Sequence, residues 1–394
     1  MRRLELIENE PAQPTDLTST EAAALEESEL AVVSRRPGTD AWEVAAGAKV
    51  GVARLGDLHV VVRPKVPIDR LVFLLGYARN PQFWRETPVL LDSASDLIEA
   101  LAHSYAHRAR KALEHGLIYG YVEVSEALTV VRGRMRVGDQ LARRPGRLNP
   151  LEVTYDDYSV DTTENRILLA AVLRLLRVRS LAAEERRTLQ RLRVQLSDVT
   201  PIARGQQLPT WRPSRLNVRY QPALVLAELI LAGDSFEQQI GHLHVSGFVF
   251  DMWRIYEDFV GTALTEAMRP SGGRSTLQHR MHLDDARRVP MTPDFYWSDG
   301  DGNQAVVDAK YKAERPGGFP NADLYQLLAY CTVLGVDEGH LVYAKGNGQA
   351  TVHEVSGSSV RIHCHTLDLA APPDALLAQV EAVALMIRGP RMVP

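Results

Sequence analysis

Between residues 291 and 312 the chain reads as two β-prone runs, Met291-Thr-Pro-Asp-Phe-Tyr-Trp and Gln304-Ala-Val-Val-Asp-Ala-Lys-Tyr-Lys. The turn-forming stretch Ser298-Asp-Gly-Asp-Gly-Asn separates them. Turn residues between two such runs fold as a hairpin. Side chains alternate faces along a strand, so Asp308 and Lys310 share one face while Val307, Ala309 and Tyr311 share the other. Lys312 falls on the Lys310 side, where it meets either phosphate or only solvent. Asp294, on the first strand, comes within a few ångströms of Asp308. The sheet that holds this hairpin is therefore apolar on one face and carries clustered charge on the other.

Clustered charge of this kind points to chemistry. Two adjacent carboxylates repel, which raises the proton affinity of the pair, and a divalent cation relieves that repulsion. An oxygen-only donor set suits Mg²⁺ or Mn²⁺, which keep waters and accept substrate phosphate oxygens. Lys310 adds a point charge able to stabilise a developing anion. Asp294 and Asp308 are thus candidate metal ligands, and Lys310 a candidate catalytic residue.

Pro293-Asp294 followed by Asp308-Ala309-Lys310 resembles the PD-(D/E)XK nuclease signature. Glu257, in WRIYEDFV, resembles the acidic residue that many members place on the preceding helix; it also borders the apolar stripe Met252, Ile255, Tyr256, Phe259 and Val260, and can simply edge the core. Gln326, with Tyr330 four residues on, resembles the QxxxY element of one branch; a backbone-satisfying role explains it nearly as well. In one order, RPKVPIDRLVFLLGYA, HGLIYGYVEVSEALTVVRGRMRV, YDDYSVDTTENRILLAAVLRLL, YEDFV, MTPDFYW, VVDAKYK and DLYQLLAY are similar to blocks of the McrC family, over about residues 60–345. That resemblance implies a Mg²⁺-dependent endonuclease subunit acting on modified, methylated double-stranded DNA. It also implies a separate McrB-like AAA+ GTPase hexamer whose GTP hydrolysis the subunit stimulates. Asp294, Asp308, Lys310, Glu257 and Gln326 would be the active-site residues. A non-cutting activator of the motor and a stand-alone PD-(D/E)XK nuclease are the alternatives.

The rest of the chain sets the frame. Its 394 residues suggest two or three domains. Charged residues make up 24% and the net charge is −4, not the overall charge of a protein that coats nucleic acid. The chain has no GxxxxGK[ST] phosphate loop, so it does not encode a P-loop NTPase. Two cysteines without a CxxC, no signal-like N-terminus and no run of about 18 apolar residues lead to the expectation of a cytoplasmic protein without a membrane span.

Short strands are expected at 4–7, 42–44, 49–52 and 59–63, with a helix over 17–31 capped by Ser19 or Thr20. Helices follow at 68–78 and 94–115, the second ended by Gly116, then three short strands over 118–137. Helices are expected over 161–195 with a break near Ser180, then at 222–235, 248–268, 323–334 and 374–387, with strands at 340–344 and 359–365. This order predicts an α+β N-terminal region, β-rich at its start and then helical, followed by an α/β PD-(D/E)XK domain. The expected divisions are a β-rich partner-docking region at 1–90, a mixed middle region at 91–235 and a nuclease domain at 236–394. The arginines of 161–195 read as a solvated face before a binding surface. Arg132 and Arg134 flank Gly133, and Asn165 and Arg166 open a helix; structure and binding explain these equally. His103 and His107 lack the glutamate of an HExxH site, and His363 and His365 share a strand face with no visible partner.

Overall fold

The computed structural model describes the chain apart from residues 1, 9, 37–40, 87–96, 179–180, 204–205, 241–242, 300–301, 312–320, 345–350 and 389–394. It divides into two compact units, Met1–Leu97 with Asp234–Pro394, and Ile98–Gly233. The first and last segments of the chain form one unit. The reason is a shared sheet. Strand Leu243–Asp251 pairs antiparallel with Lys49–Leu55, in the order Arg2–Ile7, Leu58–Arg63, Lys49–Leu55, Leu243–Asp251, Asp234–Ile240. The sequence reading missed the hairpin over 234–251 and began the following helix at Phe248; the helix runs Met252–Met268.

In the larger unit, helix Ser19–Glu27 is capped by Thr18, which replaces the expected Ser19 or Thr20. Thr18 and Glu21 form a reciprocal capping box, satisfying two backbone donors at once. Helix Ile68–Arg79 packs on Met252–Met268, with Tyr77 and Phe259 edge to face at 5.7 Å. Phe259 is fully buried, which stabilises by about 1.5–3 kcal/mol for a side chain of that kind.

A second, six-stranded sheet holds the 291–310 hairpin. Its order is Arg274–Leu277, Phe295–Ser298, Gln304–Lys310, Glu338–Ala344, Arg361–Leu367, Thr351–Glu354. Phe295–Ser298 and Gln304–Lys310 pair antiparallel as expected, with Phe295 opposite Val307. Gln304–Lys310 and Glu338–Ala344 pair in parallel, so a crossover must join them; helix Asn321–Leu334 lies between them in sequence and packs on both. Strand Thr351–Glu354 escaped the sequence reading. Helix Asn321–Leu334 covers the Asp308 face through Leu327, Tyr330 and Cys331 against Val306, Leu341, Tyr343, Ile362 and Cys364. His340, His363 and His365 alternate to the other face, where their rings stack and His340 Nδ1 lies 3.0 Å from His365 Nε2. Burial pushes His365 down to about 4, so the stack is neutral near pH 7.

The smaller unit has helices Leu97–Leu113, Thr163–Leu176, Ala183–Gln195 and Gln221–Ala232 at or near the expected places. Gly116, at φ +83°, lies just past the first of them, in the left-handed region where glycine is favoured. The three short strands expected over 118–137 are instead one long strand, Gly120–Leu128, and the two-residue Arg134–Met135. Both pair with Leu151–Ser159, and helix Val137–Arg143 intervenes; neither element was anticipated. His103 Nδ1 lies 3.1 Å from a Glu185 carboxylate oxygen, and Asn165 donates to the Ile118 and Val160 carbonyls, so both serve the fold.

Candidate active site

The hairpin brings Asp294 beside the Asp308 strand. Asp294 Oδ2 accepts from the Ala309 backbone N–H at 2.9 Å, and Oδ1 accepts from Gln278 Nε2 at 3.0 Å. Asp308, only 2% exposed, ion-pairs through Oδ2 with Lys310 two residues on. That buried Oδ2 still receives no well-directed hydrogen bond. Lys310 Nζ also donates to Gln326 Oε1 at 2.9 Å, and Gln326 Nε2 donates to the Tyr330 hydroxyl at 2.7 Å. Gln326 thus reaches the site from the crossover helix and gives the ammonium a second acceptor besides Asp308.

Glu257 stands on the rim of the Met252–Met268 helix, whose apolar stripe is buried as expected. Burial, then the charges of Asp294 and Asp308, push its carboxyl up to about 8. Asp308 is pushed up to about 6, by burial first, with Lys310 opposing and Asp294 adding to the rise. Asp294 is also raised by burial, against the two donors that favour its charged form. Burial works to lower Lys310, but Asp308, Asp323 and Asp294 outweigh it and hold the ammonium charged. Asp294, Asp308, Lys310 and Glu257 thus gather in one group that interacts through charge, and Gln326 joins it through its hydrogen bond with Lys310. Lys312 lies outside the described residues.

Such a group fits a divalent cation. Its ligand atoms are hard oxygens, its carboxylates repel, and the buried Asp308 Oδ2, beside the Lys310 ammonium, receives no well-directed hydrogen bond. Among the described residues no three His, Cys, Asp or Glu side chains enclose an ion by themselves. Two carboxylates with water and phosphate completing the shell is the usual Mg²⁺ arrangement, not that of a closed structural site.

Sequence reasoning missed Gln278 and Glu8. Gln278 lies just past strand Arg274–Leu277 at φ +48°, and nothing in its local pattern signals a contact with Asp294. Glu8, buried in the first sheet's margin, accepts from the Tyr311 hydroxyl at 2.8 Å and so ties down the chain just past Lys310. A contact spanning 303 residues leaves no local trace.

A family model described as "McrBC 5-methylcytosine restriction system component" matches residues 44–344, about three quarters of the chain. The chain belongs to this McrBC family. The McrC resemblance read from the ordered motifs is thereby upheld, over nearly the span those motifs cover. Among solved structures, the McrBC-family chain is similar to one in a refined half-complex from a tetradecameric assembly of Thermococcus gammatolerans McrB AAA+ hexamers with bound McrC. The two share 18% identity at a TM-score of 0.57, covering 96% of this chain and 98% of that one, and so share a fold. A cryo-EM structure of the Thermococcus gammatolerans McrBC complex matches at 19% identity and TM-score 0.36, over 68% and 88% of the two chains. No curated protein matches significantly.

Proposed function

We propose that this chain is the DNA-cutting subunit of an McrBC-type restriction system, a Mg²⁺-dependent endonuclease with a PD-(D/E)XK centre. It works with a separate McrB-like AAA+ GTPase hexamer, whose GTP hydrolysis it stimulates, on methylated double-stranded DNA. One observation carries the reading: Asp294, at the entry to strand Phe295–Ser298, meets Asp308 and Lys310 on the adjacent strand of a mixed sheet, with Glu257 beside them, in a chain of the McrBC family. The partner assignment draws on the Thermococcus gammatolerans assembly and on the missing phosphate loop here.

Asp294 and Asp308 would hold Mg²⁺, or Mn²⁺ in its place. Such an ion would supply Lewis acidity, activating water and offsetting phosphate charge. Lys310 holds a fixed positive charge where the attacked phosphate gains negative charge. Gln326 and Tyr330 keep that ammonium aimed. Glu257, protonated over much of the neutral range without metal, becomes ready to take a proton once neighbouring negative charge is neutralised. Gln278 and the Ala309 amide fix Asp294 so that its remaining lone pairs face the site.

The reading is tested by cleavage of methylated and unmethylated plasmid, with Mg²⁺, by the chain alone and with an McrB-like GTPase and GTP. Cutting that needs methylation, partner, GTP and metal is expected. Cutting by the chain alone would make it a stand-alone nuclease. Stimulated GTPase with no cutting under any condition would make it a motor activator.

A further inference from the structure

The unit that holds the site carries more acidic than basic residues, and the site itself is a knot of carboxylates. A polyanion approaching it needs cationic contacts nearby. One element supplies them. Residues 281–291 form a small hairpin, with Met281 opposite Met291 and His282 opposite Pro290. Its root is anchored: Met281 and Met291 pack against the core under helix Asn321–Leu334. The Gln278 and His279 amides donate to the Asp294 and Pro293 carbonyls at 3.0 and 3.1 Å. Its outer part is exposed and carries Arg287 and Arg288, and Arg280 stands exposed at its root, just before Met281.

These arginines differ from most others in the unit. Arg2, Arg3, Arg63, Arg254, Arg269 and Arg361 pair with carboxylates. Among the described residues, the guanidinium groups of Arg280, Arg287 and Arg288 have no such partner. The acidic residues of the hairpin are Asp284 and Asp285. Asp284 is occupied by the turn, accepting from the Arg288 and Val289 amides at 2.8 Å each. Arg287 sits at φ +55°, a left-handed conformation that costs an arginine more than a glycine. That conformation belongs to the turn, which the Arg287 amide closes by donating to the Asp284 carbonyl at 2.9 Å, and it presents the exposed guanidinium outward from an anchored loop.

We propose that the 280–288 hairpin is the duplex-engaging arm of this site, with Arg280, Arg287 and Arg288 gripping DNA backbone phosphates beside the scissile one. The inference rests on the nuclease reading and names how that site holds its substrate. Asp294 lies six positions after Arg288, a reach of at most about 20 Å in extended chain. At 3.4 Å per step that puts the Arg288 backbone within roughly six base pairs of the cut. Backbone contacts of this kind position the duplex and read no sequence.

The test is fluorescence anisotropy with a 30-base-pair duplex and the full chain, in Ca²⁺, from about 50 to 200 mM salt. Wild type is compared with the triple variant Arg280→Gln, Arg287→Gln, Arg288→Gln, and with Arg361→Gln as a control charge removal. The triple variant is expected to bind at least about tenfold more weakly, with a salt slope shallower by about two to three, since each lost phosphate contact removes about 0.9. Arg361→Gln should bind as wild type, and thermal midpoint and calorimetric Mn²⁺ binding should not change in either. Undetectable binding by wild type, or equal binding and slope for the triple variant, overturns the proposal. Arginine-dependent binding by a chain that never cuts in the complete system would sink the nuclease reading and leave the arm standing.

Discussion

Asp308 is the residue on which the most physics converges. It is buried, it faces a second carboxylate, and its proton affinity is raised. A carboxyl whose folded pKa lies above its unfolded value contributes most to stability at low pH, and loses that contribution as pH rises through the folded pKa. For Asp308 the window runs from about 4 to about 6, and for Glu257 it extends to about 8. Metal-free Asp308→Asn should therefore melt a few degrees above wild type at pH 8, with the gap closing towards pH 4; calorimetric scans at several pH values check this. Adding Mn²⁺ at pH 8 should stabilise wild type and not the variant. Because the ion competes with protons for the same oxygens, wild-type Mn²⁺ affinity should rise steadily from pH 6 to pH 8 by titration calorimetry.

The crossover helix aims Lys310, and its seat on the sheet is tight. A Cβ on Gly339 would lie 2.6 Å from Cys331 Sγ and 3.0 Å from Leu327, both on that helix. Gly339→Ala should cost about 1–3 kcal/mol by overpacking. By shifting Gln326 from Lys310 it should also slow cleavage more than Gln326→Ala weakens folding; denaturation midpoints and single-turnover rates separate the two effects. Much at this scale was legible in the sequence. The hairpin, the shared face of Asp308 and Lys310, and the helix bearing Gln326 follow from alternation, turn residues and helical spacing. The four-residue strand Thr351–Glu354 did not show because it is so short, and the 234–251 hairpin did not because its pairing with Lys49–Leu55, distant in sequence, supplies part of its stabilisation. Gln278 and Glu8 were invisible for the same reason: each acts through a contact that only the fold creates.

At the scale of the molecule, the first 97 residues belong with the last 161 because strand Leu243–Asp251 completes a sheet begun at the N-terminus and then leads directly into the Glu257 helix. A fragment starting at residue 234 would expose one edge of that strand and lose Tyr77 and Phe73 from the helix face. It should be poorly soluble and melt without cooperativity. Residues 1–97 joined by a flexible linker to 234–394 should instead melt cooperatively and bind Mn²⁺, as scanning calorimetry and titration would report. No described helix is long and apolar enough to cross a membrane. The central claim is that Asp294, Asp308 and Lys310 form a DNA-hydrolysing centre separable from motor activation. Its most direct measurement is the chain carrying Asp308→Ala, combined with an McrB-like GTPase, GTP, Mg²⁺ and methylated plasmid. Cleavage should fall by at least about 10³-fold while stimulated GTP hydrolysis stays at the wild-type level. Cleavage at the wild-type rate would place the chemistry elsewhere.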